Sequence, residues 1–193
     1  ITAVARDDLP DGGAEHFQKV IERVRAVNPG IVIEVLTPDF QDDDAAINTV
    51  LSARPEIFNH NLETVRRLTP KVRSVATYAR SLSVLKKVKS RAPELHTKSG
   101  LMLGLGETEG ELHQALRDLR EARCDILTLG QYLQPSQKHL PVTEFIHPDK
   151  FAEHKETAEA MGFLHVASGP LVRSSYHADD FTPERFAFKH DQA

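Results

Sequence analysis

A single cysteine, Cys124, stands in 193 residues. An internal disulfide is therefore excluded, and with it the disulfide-stapled scaffolds of small secreted domains. No apolar run approaches the roughly 20 residues that a membrane-spanning helix needs. Ile1-Thr2-Ala3-Val4 is apolar, but Arg6-Asp7-Asp8 follows almost at once, which does not suit a signal peptide. The segment reads as a buried strand with polar residues at its end. Without an initiator methionine, the sequence is expected to begin inside a fold. Positive charge is not in excess either. The formal net charge of -4 argues against a nucleic-acid partner held by phosphate neutralisation. The local basic run Lys86-Lys87-Val88-Lys89-Ser90-Arg91 reads as a solvated helix face.

Several catalytic signatures are also missing. No three-glycine dinucleotide fingerprint follows the first apolar run, and no Walker-type phosphate loop occurs. No Gly-x-Ser-x-Gly elbow anchors a hydrolase triad. The ten histidines include no i,i+4 helical pair and no HExxH, so a zinc site or a metal-dependent aldolase-like barrel has little support.

What is present is an alternation of short apolar runs with amphipathic segments. Strands are expected at 1–4, 31–36, 55–58, 101–103, 126–129 and 164–167, and helices at 14–27, 42–53, 62–68, 78–92, 109–122 and 148–161. Strand–helix alternation implies βαβ units and a parallel sheet. A curved or closed (β/α) barrel of TIM type fits better than a doubly wound sheet. A full eight-stranded barrel takes about 250 residues, so a partial barrel is expected, with its first strand region missing. One unit over 1–180 and a polar tail over 181–193 are expected.

Polar and glycine-rich clusters follow the carboxyl ends of the expected strands, the rim on which parallel α/β folds build sites. Asp11-Gly12-Gly13 reads either as a turn or as a place where backbone approaches a ligand amino group. Asn59-His60-Asn61 offers amides for ribose hydroxyls or a carboxylate, or an Asx cap for a helix starting near Leu62. Lys98 is either a surface lysine or the partner of a carboxylate. Gly104 to Thr108, Gly130 to Pro135 and Ser168 to Pro170 complete the rim.

Some longer strings carry a resemblance. Arg6-Asp7-Asp8-Leu9-Pro10-Asp11-Gly12-Gly13-Ala14, Phe58-Asn59-His60-Asn61-Leu62-Glu63-Thr64-Val65 and Thr97-Lys98-Ser99-Gly100-Leu101-Met102 resemble, in order and spacing, the lipoyl synthase family of the radical S-adenosylmethionine superfamily. Gly130-Gln131-Tyr132-Leu133-Gln134-Pro135-Ser136 and Arg173-Ser174-Ser175-Tyr176-His177-Ala178-Asp179 do the same. Gly100 to Glu107 is similar to the GxIxGxxE strand of that superfamily. The likeness runs from Ile1 to about Asp180.

The resemblance implies a chemistry. A 4Fe–4S cluster held by CxxxCxxC cleaves S-adenosylmethionine to a 5′-deoxyadenosyl radical. The radical abstracts hydrogens from an octanoyl chain carried on a lipoyl-domain lysine, and a second 4Fe–4S cluster supplies sulfur. It also implies cofactor-binding roles for Gly12, Gly13, Asn59, Asn61, Lys98 and Gln131, and places Ser175 as an oxygen ligand of the second cluster and hence a catalytic residue. The implied partners are octanoylated lipoyl domains of 2-oxoacid dehydrogenase complexes, the glycine cleavage H protein and an electron donor such as ferredoxin or flavodoxin. The implied compartment is the bacterial cytoplasm, or the mitochondrion in a eukaryote. Both cysteine motifs are absent, and Cys124 lies at the wrong end of its strand to replace them. Two expectations follow: a lipoyl synthase seen without its N-terminal part and inactive alone, or a non-catalytic module that binds lipoyl-domain proteins.

Overall fold

The computed structural model describes residues 1–73 and 75–175. Five strands, β1 (Glu34–Leu36), β2 (Ile57–Asn59), β3 (His96–Leu103), β4 (Ile126–Gln131) and β5 (His165–Gly169), form one parallel sheet in the order β1-β2-β3-β4-β5. Each strand pairs only with its neighbours in sequence. A doubly wound sheet reverses direction at a switch point, whereas an unbroken order is the winding of a (β/α) barrel. The expected partial barrel is what forms.

The helices are α1 (Ala14–Val27), α2 (Asp44–Ser52), α3 (Thr69–Val72), α4 (Tyr78–Arg91), α5 (Glu109–Glu121) and α6 (Pro148–Ala160). Val35 and Phe58 pack with Phe17, Ile21, Ile47 and Val84 of α1, α2 and α4. Leu101, Leu103, Leu127, Leu129 and Val166 pack with Leu85, Leu112, Leu116, Leu119 and Phe151 of α4, α5 and α6. Because strand side chains alternate, residues of the other parity occupy the opposite face: Glu34, Leu36, Asn59, Lys98, Gly100, Met102, Thr128 and Gly130. That face is the inner one of the barrel and carries the charged residues Glu34 and Lys98, so it is the one able to bind. No helix among the described residues is long and apolar enough to cross a membrane.

Three local expectations need correction. Residues 1–4 do not form a buried strand: Thr2 makes one parallel bridge to Leu36 at the sheet edge, and Ile1 and Val4 are 40% and 78% exposed. Residues 62–68 are not a helix, although Leu62, Val65 and Leu68 are buried as a helical face would require. Glu63 instead takes a left-handed φ of 69° and bridges to Leu101, and a turn follows before the single helical turn of α3. The Asx-cap reading of residues 59–61 falls with that helix. The basic run is not a plain solvated face either. Lys87 pairs with Asp42 and Asp44, Arg91 with Asp44, and the largely buried Lys89 with Asp125 at 2.6 Å.

Candidate functional site

A cleft of about 330 Å³ opens at the carboxyl ends of the strands, within the roughly 300–1,000 Å³ typical of small-molecule sites. Its base is formed by Leu36, Gly100, Met102, Thr128 and Gly130, and its rim by Asn61, Glu63, Gln131, Leu133, Val172, Arg173 and Ser174. Gly100 has no room for a side chain: a Cβ there would lie 2.6 Å from Thr128 Oγ1 and 3.1 Å from Asn61 Oδ1. A Cβ on Gly130 would collide with the Val172 carbonyl. The backbone itself is therefore the base of the cleft. Gly100→Ala is expected to cost about 1–3 kcal/mol by overpacking. Removing the hydroxyl as well, in Gly100→Ala with Thr128→Ala, should restore at least half of the loss in thermal melts. Simple additivity would show that the contact does not decide the cost.

Asn61 and Glu63 are delivered to the rim by an irregular but tightly held segment. The Leu62 N–H donates to Ser99 Oγ at 3.0 Å. The Glu63 N–H donates to Gly100 O, and Glu63 O accepts from Met102 N, each at 2.8 Å. The segment is thus laced to β3, and its polar side chains are left for the cleft. Asn61 Nδ2 donates to Glu63 Oε1 at 3.1 Å, while Asn61 Oδ1 is buried without a hydrogen-bond partner among the described residues. Burial raises the Glu63 carboxyl above the usual carboxylate range, against the Asn61 hydrogen bond and the positive charge of Arg73. An acceptor without a donor beside a desolvated carboxyl is a ready site for ligand hydroxyls.

His60 anchors the same segment from behind. Its Nδ1 lies 3.0 Å from Thr37 O and its Nε2 2.9 Å from Ser81 Oγ, which also accepts from Arg73 Nη1 at 2.6 Å. A carbonyl can only accept, so Nδ1 carries the proton and Nε2 accepts from the Ser81 hydroxyl. Burial pushes this imidazole down to about 4.

The residues singled out in the sequence separate into groups. Asn61 and Gln131 line the cleft. Asn59 and Lys98 lie deeper: both are fully buried and converge on Glu34, Asn59 Nδ2 donating to Oε1 and Lys98 Nζ to Oε2, each at 2.9 Å. Lys98 is therefore the partner of a carboxylate and not a surface lysine. Gly12 belongs to a second, polar depression with Asp7, Phe40 and Lys87, and Gly13 lines neither. Asp11 caps α1, accepting from Gly13 N at 2.9 Å and Glu15 N at 2.8 Å, which is the turn reading of that motif. Gln131 spends both Nε2 hydrogens on Tyr132 O and Glu144 O and accepts from Ile146 N. Ser174 lines the cleft, and Ser175, next to it, is exposed. Tyr176 to Asp179, and the tail expected over 181–193, lie outside the described residues. Sequence reasoning missed Glu63 and Glu34. The signal for Glu34 was a lone charge inside the apolar run 31–36.

Cys124 is at the other end of the barrel, just before β4. Its Sγ is fully buried against Thr97 O and Ile126 O, and burial pushes the thiol up to about 12. No group of three or more His, Cys, Asp or Glu among the described residues could hold a metal ion.

A family model described as "Radical SAM superfamily" matches residues 1–119. A lipoyl synthase from Caldicellulosiruptor saccharolyticus is 57% identical over 182 residues, which are 94% of this chain and 64% of that protein. One from Caldanaerobacter subterraneus is 55% identical over 179 residues, 93% of this chain and 63% of that protein. The chain thus spans less than two thirds of the length of these relatives. Among solved structures, a domain of pyruvate-formate lyase-activating enzyme from Bacteroides vulgatus superposes with a TM-score of 0.64 over 86% of this chain and 98% of that one, at 12% identity, which shows a shared fold. With the parallel barrel-type sheet and the family match over more than half of its residues, the chain belongs to the radical SAM superfamily.

Proposed function

We propose that this chain is the S-adenosylmethionine-binding barrel of a lipoyl synthase, the enzyme that inserts sulfur into protein-bound octanoyl groups. Identity above 50% to two proteins of that name supports the assignment. The observation that carries the binding role is Asn61 Oδ1, without a partner among the described residues, beside the Glu63 carboxyl and over a base that Gly100 leaves bare. Two acceptors side by side match the two hydroxyls of a ribose, and Leu36 and Met102 supply apolar wall for an adenine. S-adenosylmethionine bound there, given one electron by a cluster held outside this chain and cleaved to methionine, would supply the carbon-centred radical for hydrogen abstraction. Residues of this chain bind it, orient it and keep water from it.

By themselves the described residues cannot hold an iron–sulfur cluster, because the one cysteine is buried at the opposite end of the barrel. Cluster chemistry would fall to cysteines that this chain does not contain. Within the complete enzyme we assign Ser175 as the oxygen ligand of the sulfur-supplying cluster. Its exposed position next to Ser174 on the cleft wall supports this. Asn59 and Lys98, through Glu34, support the cleft from beneath, and Gly12 and Gly13 set the neighbouring turn from which backbone would meet the amino acid end. We assign residues 1–180 of the sequence to the barrel unit and 181–193 to a polar tail, the part beyond Ser175 lying outside the described residues. The partners are octanoylated lipoyl domains, including those of 2-oxoacid dehydrogenase complexes, the glycine cleavage H protein and a ferredoxin or flavodoxin, in the bacterial cytoplasm.

Titrating S-adenosylmethionine into the full-length protein tests the reading. Glu63→Gln should weaken binding about tenfold, the equivalent of about 1.4 kcal/mol, with an unchanged melting profile. A full-length wild-type protein that does not bind S-adenosylmethionine would overturn the proposal.

A further inference from the structure

The segment between β4 and α6 has no regular structure from residue 132 to 147, yet it runs beside the cleft and Leu133 lines it. The fixed points of its far half converge on one side chain. Gln131 Nε2 donates to Glu144 O at 3.1 Å, and its Oε1 accepts from Ile146 N at 2.9 Å. From the β3 side, Gly104 O accepts from Thr143 N at 2.8 Å and Glu144 N at 3.3 Å. Gly104 has a φ of 95°, and a Cβ there would collide with both Glu144 O and Gln131 Nε2. The turn and the amide are therefore fitted to each other around the same stretch of backbone. In the near half, Tyr132 Oη donates to Leu140 O at 2.8 Å.

We infer that Gln131 is a positioning residue. Its amide clasps residues 143–146 against the Gly104 turn and so fixes the whole 132–147 strap as one wall of the cleft. Both amide hydrogens and one acceptor position are used in that clasp, so little of the group is left to contact a ligand. Of the strap, Leu133 is the side chain that lines the cleft, and it is 49% exposed. Because Gln131 and Leu133 both line the cleft, releasing the clasp disturbs binding there. That half of the inference, which takes the ligand to be S-adenosylmethionine, rests on the function proposed above.

The test uses the full-length enzyme with Gln131→Met, which keeps the length of the side chain and removes its hydrogen bonds. Gly104→Ala disturbs the strap from the other side. Kd for S-adenosylmethionine should rise at least fivefold in both variants. Amide exchange in residues 133–147 should accelerate at least tenfold, with the strands unchanged. Unchanged affinity for S-adenosylmethionine in both variants, or unchanged exchange in the strap, would overturn the clasp. If the wild-type enzyme binds no S-adenosylmethionine, the reading of function fails by itself, and the exchange comparison still decides whether Gln131 holds the strap.

Discussion

Replacing Glu34 by alanine is expected to remove about 3–5 kcal/mol of folding stability, the range found when one partner of a buried ion pair is deleted. Lys98 is fully buried and Asn59 likewise, and both donate to this carboxylate. Deletion takes away the acceptor of a charged donor and of an amide at once. The effect should appear as a large drop in the urea midpoint with little change in slope. Two further variants separate charge from packing. Glu34→Gln keeps an acceptor oxygen but not the charge, and should lose less. Glu34→Leu combined with Lys98→Met removes both ions and should be more stable than Glu34→Ala. If the single and double variants are equally damaged, the pair matters only through its volume.

The second large effect is on the acid side. An unfolded histidine takes up a proton near pH 6.5. His60, buried between Thr37 O and Ser81 Oγ, resists protonation down to about 4. Between those values the unfolded chain binds the extra proton, so stability rises with pH in this window and is lost as pH falls from about 6.5 to about 4. The full swing is about 3 kcal/mol. Other groups titrate nearby. The Glu63 carboxyl, raised by burial, holds its proton longer in the fold and contributes in the opposite sense, losing stability as pH rises. The measurement is therefore a difference: wild type and His60→Gln, each melted from pH 7 to pH 4. Wild type should lose stability more steeply, and parallel curves would show that His60 carries none of the slope.

Much of the architecture could be read from periodicity, and the exceptions share one cause. Phe17, Val20, Ile21 and Val24 locate α1 because that helix has one apolar face and one solvated face. Strand β3 begins at His96, five residues before the apolar run that marks it, because Lys98 buries its polar side chain inside the barrel and Thr97 and Ser99 bury theirs on the helix side. Apolar patterning is blind to a polar interior. The same blindness hid Glu34, whose partners lie 25 and 64 residues away in sequence. The misread at 62–68 is different. Leu62, Val65 and Leu68 do form one buried face, but Glu63 adopts a left-handed φ to bond β3, and no local pattern reports a bond to Gly100 and Met102. Nothing within that expected helix singles out Glu63, though it stands two residues from Asn61 on the same rim. Gln131 was noticed for its place in the rim, and only the coordinates show that its amide serves the strap.

The neighbour-to-neighbour order of the sheet also bears on how the chain assembles. Register partners lie 23 residues apart at the first ladder (Leu36 and Asn59) and 39 apart at the second and fourth (Asn59 and Lys98, Ile126 and His165). Loop-closure entropy grows only slowly with length, about 0.6 kcal/mol per doubling, so no ladder is much more expensive to close than the next. Any strand–helix–strand unit can then serve as the seed, and pairing can spread outward from it in both directions without threading.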